Sequence, residues 1–194
     1  GPMQASINGY YVGIIGSWLP YNSTASGSKV TSNVVDWAPL TNQTGCINLT
    51  AVNTVYTLVK NANSSGTCFA ITADNVTLNC AGYSITGSGA ANSYGALSNR
   101  FNTTIRNCAI SGFLHAIYFN GTSNRTVTSV TSSMTLASGT GIMLNRTQNT
   151  SVSNSTFSET NNIGMYITGE SRYNTIQSNT ISGLRGGILL DSVG

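Results

Sequence analysis

One short pattern returns along the chain about every two dozen residues, and it restricts the fold more than any other feature. A small residue is followed by an apolar residue, any residue and a second apolar residue, then by a turn. The pattern is seen at Gly95-Ala96-Leu97, Ala116-Ile117-Tyr118-Phe119, Gly141-Ile142-Met143-Leu144, Gly164-Met165-Tyr166-Ile167 and Gly187-Ile188-Leu189-Leu190. Anchored on Ile71, Leu97, Phe119, Leu144, Ile167 and Leu190, its steps are 26, 22, 25, 23 and 23 residues. A second series runs in register with the first: Asn75 to Leu78, Asn102 to Ile105, Asn124 to Val127, Asn149 to Val152 and Tyr173 to Ile176. A third apolar position follows five residues later at Tyr83, Ile110, Phe157 and Ile181, with Ser132 breaking the file. Three short strands per window, separated by turns, describe one coil of a three-sided parallel β-helix. Each coil hydrogen-bonds to its neighbour, and the apolar side chains stack along a common axis. Alternation sends Ile142 and Leu144 inward and Met143 outward. The Asn that recurs at one corner suits a left-handed backbone residue. The Leu-rich helical half of a leucine-rich repeat is absent, and so is the 3.6-residue period of a helical solenoid.

Composition agrees. Charged residues are only 7% of the 194 residues, and Asn, Ser, Thr and Gly stand where Lys and Glu would favour helices. The net charge of +3 reflects few acids, and the eight basic residues are scattered singly. A nucleic-acid partner, which would want a concentrated basic face, is not expected. No stretch is long and apolar enough for membrane insertion. The run from Tyr10 to Trp18 is short and broken by glycine, and reads as a strand or cap.

The segments Asn75-Val-Thr-Leu-Asn-Cys-Ala-Gly-Tyr-Ser-Ile85, Asn102-Thr-Thr-Ile-Arg-Asn-Cys-Ala-Ile-Ser-Gly112 and Tyr173-Asn-Thr-Ile-Gln-Ser-Asn-Thr-Ile-Ser-Gly183 resemble the right-handed parallel β-helix repeats of the pectate-lyase-like superfamily. In texture they are similar to the NosD/CASH-type domains of cell-surface proteins. The resemblance implies an all-β, right-handed three-sided solenoid over residues 46–194. It does not imply an activity, because that fold hosts lyases, hydrolases, epimerases, tailspikes and adhesins. Residues 1–3 read as a protease scar followed by a start methionine. Residues 4–45 do not repeat; they are expected to form an N-terminal cap or linker, with Trp18, Val34, Val35 and Trp37 available to plug the open end. The last residues stop inside a fresh coil, as in a chain that continues.

Cys46, Cys68, Cys80 and Cys108 form no CxxC pair, and with one histidine a metal site is not expected; no cofactor is called for. Their even number suits disulfides and an oxidising compartment. In the repeat register Cys46 and Cys68 lie on successive coils, as do Cys80 and Cys108. Bridges Cys46–Cys68 and Cys80–Cys108 are favoured over stacked free thiols. Sequons such as those at Asn22, Asn42, Asn48, Asn63 and Asn120 are compatible with a secreted or cell-surface location.

The sugar-cleaving relatives act through paired carboxylates, or through calcium held by several acids. The five acids here are Asp36, Asp74, Glu159, Glu170 and Asp191. Placed on the repeat, no two stack on neighbouring coils, and Glu159 falls beyond the third strand. No catalytic residue is therefore assigned. Glu170 is expected to pair with Arg146 or Arg172. His115 reads as a solvated turn residue. Two binding features remain. The first is an outward stripe on the first face, Ala70, Ala96, Tyr118, Met143, Tyr166 and Leu189, where tyrosine rings suit sugar or protein contact, unless a loop or flanking domain covers it. The second is a line of arginines at the next corner, Arg100, Arg125, Arg146 and Arg172, matched to an anionic polysaccharide. The expected function is a structural and adhesive module contacting glycan or a cell-surface protein. The competing reading is a piece of a polysaccharide-active lyase, hydrolase or epimerase whose catalytic residues lie in other coils.

Overall fold

A computed structural model describes residues 40–134, 136, 138–159 and 162–193, together with the backbone of two short strands near the N-terminus. Contacts divide the chain into two units, Gly1–Asp36 and Trp37–Gly194. In the first, Ala5–Ile7 pairs antiparallel with Tyr10–Val12. The plug residues Trp18, Val34, Val35 and Trp37 lie outside the described residues.

The second unit is a parallel β-solenoid with three faces. Face one stacks Asn48–Leu49, Phe69–Ile71, Tyr94–Ser98, His115–Asn120, Thr140–Asn145, Ile163–Thr168 and Gly186–Asp191. Face two begins with Leu40–Gln43 and continues through Val55–Leu58, Thr77–Asn79, Ser151–Ser153 and Thr175–Gln177. Face three contains Ala62–Ser64, Ser84–Gly87, Thr156–Glu159 and Thr180–Gly183. Two long strands, Thr104–Ser111 and Thr126–Ser133, run round the corner and serve both faces.

Local chemistry explains this shape. Leaving face one, the chain turns through Asn53, Asn75, Asn102, Asn124 and Asn149, all with φ between 51° and 59°. Asparagine tolerates that left-handed conformation because its short amide bonds locally. Here the amides also join coil to coil: Asn75 donates to Asn53 and Asn102 to Asn75, each at 2.9 Å. Tyr173 occupies the same corner with φ 57°. The corner between faces two and three needs only one left-handed residue: Asn107, Ser129, Asn154 and Ser178 in successive coils.

The interior is built of files. On face two, Tyr56, Leu78, Ile105, Val127, Val152 and Ile176 stack in direct register. On face one the file is Leu49, Ile71, Ser98, Phe119, Leu144, Ile167 and Leu190. Leu97 does not belong to it; the register pairs Leu97 with Ala70 and Tyr118, so it faces outward, while Ala96 is buried. Ser98 fills the inward place because its hydroxyl is satisfied inside by Thr103 at 2.9 Å. On face three the file is Ala62, Ile85, Ile110, Ser132, Phe157 and Ile181. Ile85 rather than Tyr83 takes the inward place, since that coil has two left-handed residues, Ala81 and Gly82, in its corner.

The small residue that opens each repeat has a steric cause. A Cβ on Gly95 would lie 2.4 Å from Ile110 Cγ2, and one on Gly164 would lie 2.6 Å from Ile181 Cγ2. Face-three side chains fill the space behind this position. Disulfides join Cys46 to Cys68 and Cys80 to Cys108, with Cα–Cα distances of 4.5 and 4.8 Å. The spacing between stacked strands is itself within disulfide reach, so neighbouring coils are bridged without distortion.

Candidate functional site

The outer surface of face one carries three columns of side chains. The middle one is Ala70, Leu97, Tyr118, Met143, Tyr166 and Leu189, with Leu97 standing where Ala96 was expected. Upstream, Tyr94, His115, Thr140 and Ile163 are in register, with Thr140 buried. Downstream run Asn120, Asn145, Thr168 and Asp191.

The upstream and middle columns meet in an aromatic cluster. Tyr94 stacks on His115 with ring centroids 5.7 Å apart and on Tyr118 at 5.3 Å; His115 and Tyr118 are 5.7 Å apart and tilted. Two coils thus supply one continuous aromatic platform. His115 is not a solvated turn residue. It opens the strand His115–Asn120, and its Nδ1 is buried without a partner among the described residues. Burial lowers its pKa to about 4, so the ring is neutral at neutral pH. Burial, reinforced by Tyr118, raises the Tyr94 phenol above its ordinary value.

A hydrogen-bonding edge borders the platform. Asn145 donates from Nδ2 to Asn120 Oδ1 at 3.0 Å and to the Tyr118 hydroxyl at 3.4 Å. One coil further on, the Tyr166 hydroxyl donates to Asp191 Oδ2 at 2.8 Å. Tyr118, Met143 and Tyr166 therefore share one half-exposed strip, with the Asn120 and Asn145 amides beside its first part and the Asp191 carboxylate beside Tyr166.

The arginine line loses one member. Arg125 is 1% exposed and points inward, where Thr103 and Thr150 are also buried in the neighbouring coils. Its guanidinium donates to the carbonyls of Gly121 and Arg100 and to Thr122 Oγ1, and lies 4.8 Å over the Phe119 ring. Burial lowers its pKa to about 10, which leaves it charged at neutral pH. The register held the signal for this: the residue after the corner Asn is buried at Val76, Thr103 and Thr150 as well. Arg146 remains exposed at the corner. Arg172 pairs with Glu170 at 3.6 Å, an exposed contact that adds little stability. A shallow hollow lined by Arg146, Gln148, Glu170, Arg172 and Ser192 lies at this corner.

Two acids come closer than the repeat implied. The Glu170 amide donates to the Ser192 carbonyl, next to Asp191, so the two carboxylates stand on adjacent coils. They are not at paired positions, since Asp191 is in register with Thr168. Glu170 is engaged by Arg172, and Asp191 by Tyr166 and Ser192. Glu159 is the larger departure. It ends a face-three strand and is 2% exposed, accepting hydrogen bonds from Ser132 Oγ and the Met134 amide. Burial raises its pKa, opposed by those two donors. Ser132, the break in the apolar file, is the partner this buried carboxyl requires. Asp74 accepts from the Phe101 amide at 3.0 Å and secures a turn. Among the described residues no three His, Cys, Asp or Glu side chains gather in metal-binding geometry.

The model of the right-handed β-helix region family matches residues 95–194, just over half of the chain. The chain belongs to this family. No curated protein and no solved structure matches it. In this right-handed β-helix the family match covers the coils that build most of the aromatic platform and all of its amide edge. Among the described residues no helix is long and apolar enough to cross a membrane.

Proposed function

We propose that this right-handed β-helix is a rigid, secreted or cell-surface module of adhesive type that holds carbohydrate on the outside of face one. The platform of Tyr94, His115 and Tyr118 carries the reading. Aromatic faces pack against the C–H face of a pyranose ring, and a neighbouring amide edge can bond its hydroxyls. The solenoid supplies preorganisation: each strand of the face is hydrogen-bonded to the coils beside it, so the platform is in place before a ligand arrives. The two disulfides fit an oxidising compartment outside the cytosol. With these features, a cell-surface protein of the NosD type within the pectate-lyase-like superfamily is the kind of parent this module suits. The acids engaged at the corner favour a holding role over a cleaving one.

A glycan array probed with the wild type, Tyr118→Ala and Tyr166→Ala tests the reading, with Tyr173→Ala as an off-face control. Binding should be lost with Tyr118→Ala, reduced with Tyr166→Ala and kept with Tyr173→Ala. Equal binding by all four proteins would remove face one from the function.

A further inference from the structure

The charge of face one specifies its ligand further. From the strand Phe69–Ile71 to the strand Ile163–Thr168, the outward positions hold Ala70, Leu97, Tyr118, Met143 and Tyr166, flanked by Tyr94, His115, Asn120 and Asn145. None of these is an acid, lysine or arginine. The one carboxylate on the face, Asp191, lies at its far end and accepts from the Tyr166 hydroxyl. The only histidine of the chain is wedged between two tyrosines and presents an aromatic surface. Of the arginines at the following corner, Arg125 points into the core and Arg172 is paired with Glu170, while Arg100 and Arg146 are exposed beside the face and not on its strands' outward positions.

Such a surface discriminates by chemistry. A carboxylate or sulfate laid on these coils would meet no counter-ion among the outward positions of the face. A neutral hydroxyl needs none and both donates and accepts. The edge offers both roles, since Asn120 Nδ2 makes no hydrogen bond among the described residues, while Asn145 donates along the column. The column also fixes a direction. Tyr94, then His115 and Tyr118, then Met143, then Tyr166 lie on successive coils, about 4.8 Å apart. That step is close to the length of one pyranose unit.

We propose that face one binds an uncharged polysaccharide whose chain runs along the solenoid axis, successive sugar rings lying on successive coils. The proposal rests on the carbohydrate reading above and narrows it to one ligand class. The test measures affinity of the whole chain for soluble uncharged polysaccharides (a β-glucan, a mannan, an unsubstituted xylan) and for anionic ones (polygalacturonate, a sulfated galactan). Binding should be confined to uncharged chains and should change less than twofold when ionic strength rises about tenfold, because no ion pair is screened. Tyr118→Ala should weaken it by about tenfold or more, within the range of an aromatic contact. His115 provides a readout that needs no variant: its single set of imidazole NMR signals should shift as an uncharged oligosaccharide is added. Salt-sensitive binding of anionic chains alone would overturn the neutral-ligand proposal and leave the carbohydrate reading standing. Absence of binding to every polysaccharide, with unmoved His115 signals, would overturn both.

Discussion

Inside this solenoid, faces one and three use the same architecture to different ends. On face one Phe119, Leu144 and Ile167 stack as an apolar file, and its one polar member, Ser98, is closed off by Thr103. On face three the file Ile85, Ile110, Phe157 and Ile181 is broken by Ser132, with the Glu159 carboxyl buried beside it. A hydroxyl can be accommodated within one coil by a single partner. A carboxyl draws on several: the Ser132 hydroxyl, the Met134 amide, and a glycine at position 141, where a Cβ would sit 2.5 Å from Glu159 Oε1. The difference shows how a repeat tolerates polar intrusions. Each costs little where its own coil supplies the missing partner, and more when it must recruit residues from the neighbouring turn.

The largest effect should come from breaking the dry side. Phe119→Ala removes a fully buried ring and the surface under the Arg125 guanidinium. It should destabilise the protein by about 3–5 kcal/mol, measured by chemical denaturation. A loss below about 1 kcal/mol would mean that the file contributes little. A smaller effect, with a definite pH signature, is expected on face three. Because burial raises the Glu159 pKa, its stabilising contribution is full below the ordinary glutamate value and fades as pH rises through the folded-state value. Glu159→Gln should therefore melt higher than the wild type at neutral pH, and the gap should close toward acid pH. Parallel melting curves from acid to neutral pH would show that the carboxyl does not titrate in this range. The smallest effect belongs to the corners, where Tyr173 stands in a left-handed position that asparagine fills in five other coils and is 76% exposed. Tyr173→Asn should stabilise by about 0.5–1 kcal/mol, read as a rise in melting temperature, because asparagine adopts that backbone at lower cost.

Much of the fold was legible in the residues because a β-helix writes its period into them. Apolar anchors, corner asparagines and small residues each answer a local demand: burial, a positive φ, or lack of room for a Cβ. Face two was read in full register for that reason. The errors came where a polar residue took an apolar role or a corner changed length. Pattern alone points to Leu97 as the anchor, because a serine does not look like core until Thr103 is seen beside Ser98. A count of five residues from Leu78 points to Tyr83, and the longer corner at Ala81 and Gly82 moves the inward place to Ile85. The aromatic platform was half visible: Tyr118, Met143 and Tyr166 follow from alternation, but Tyr94 and His115 join them only through pairing between coils. Arg125 and Glu159 are the hardest to read, because long charged side chains are rarely interior and their burial here depends on partners in the turn and the neighbouring coil.

The cross-links give the molecule a direction. All four cysteines lie between residues 46 and 108, and both bridges span neighbouring coils in that interval. Beyond Cys108 the described turns are held to one another by hydrogen bonds and packing, with no covalent link. In a structure whose units touch only their neighbours, unwinding can advance one turn at a time. Heat or tension should therefore open the coils that carry Met143 and Tyr166 more readily than the stapled coils that hold Tyr94.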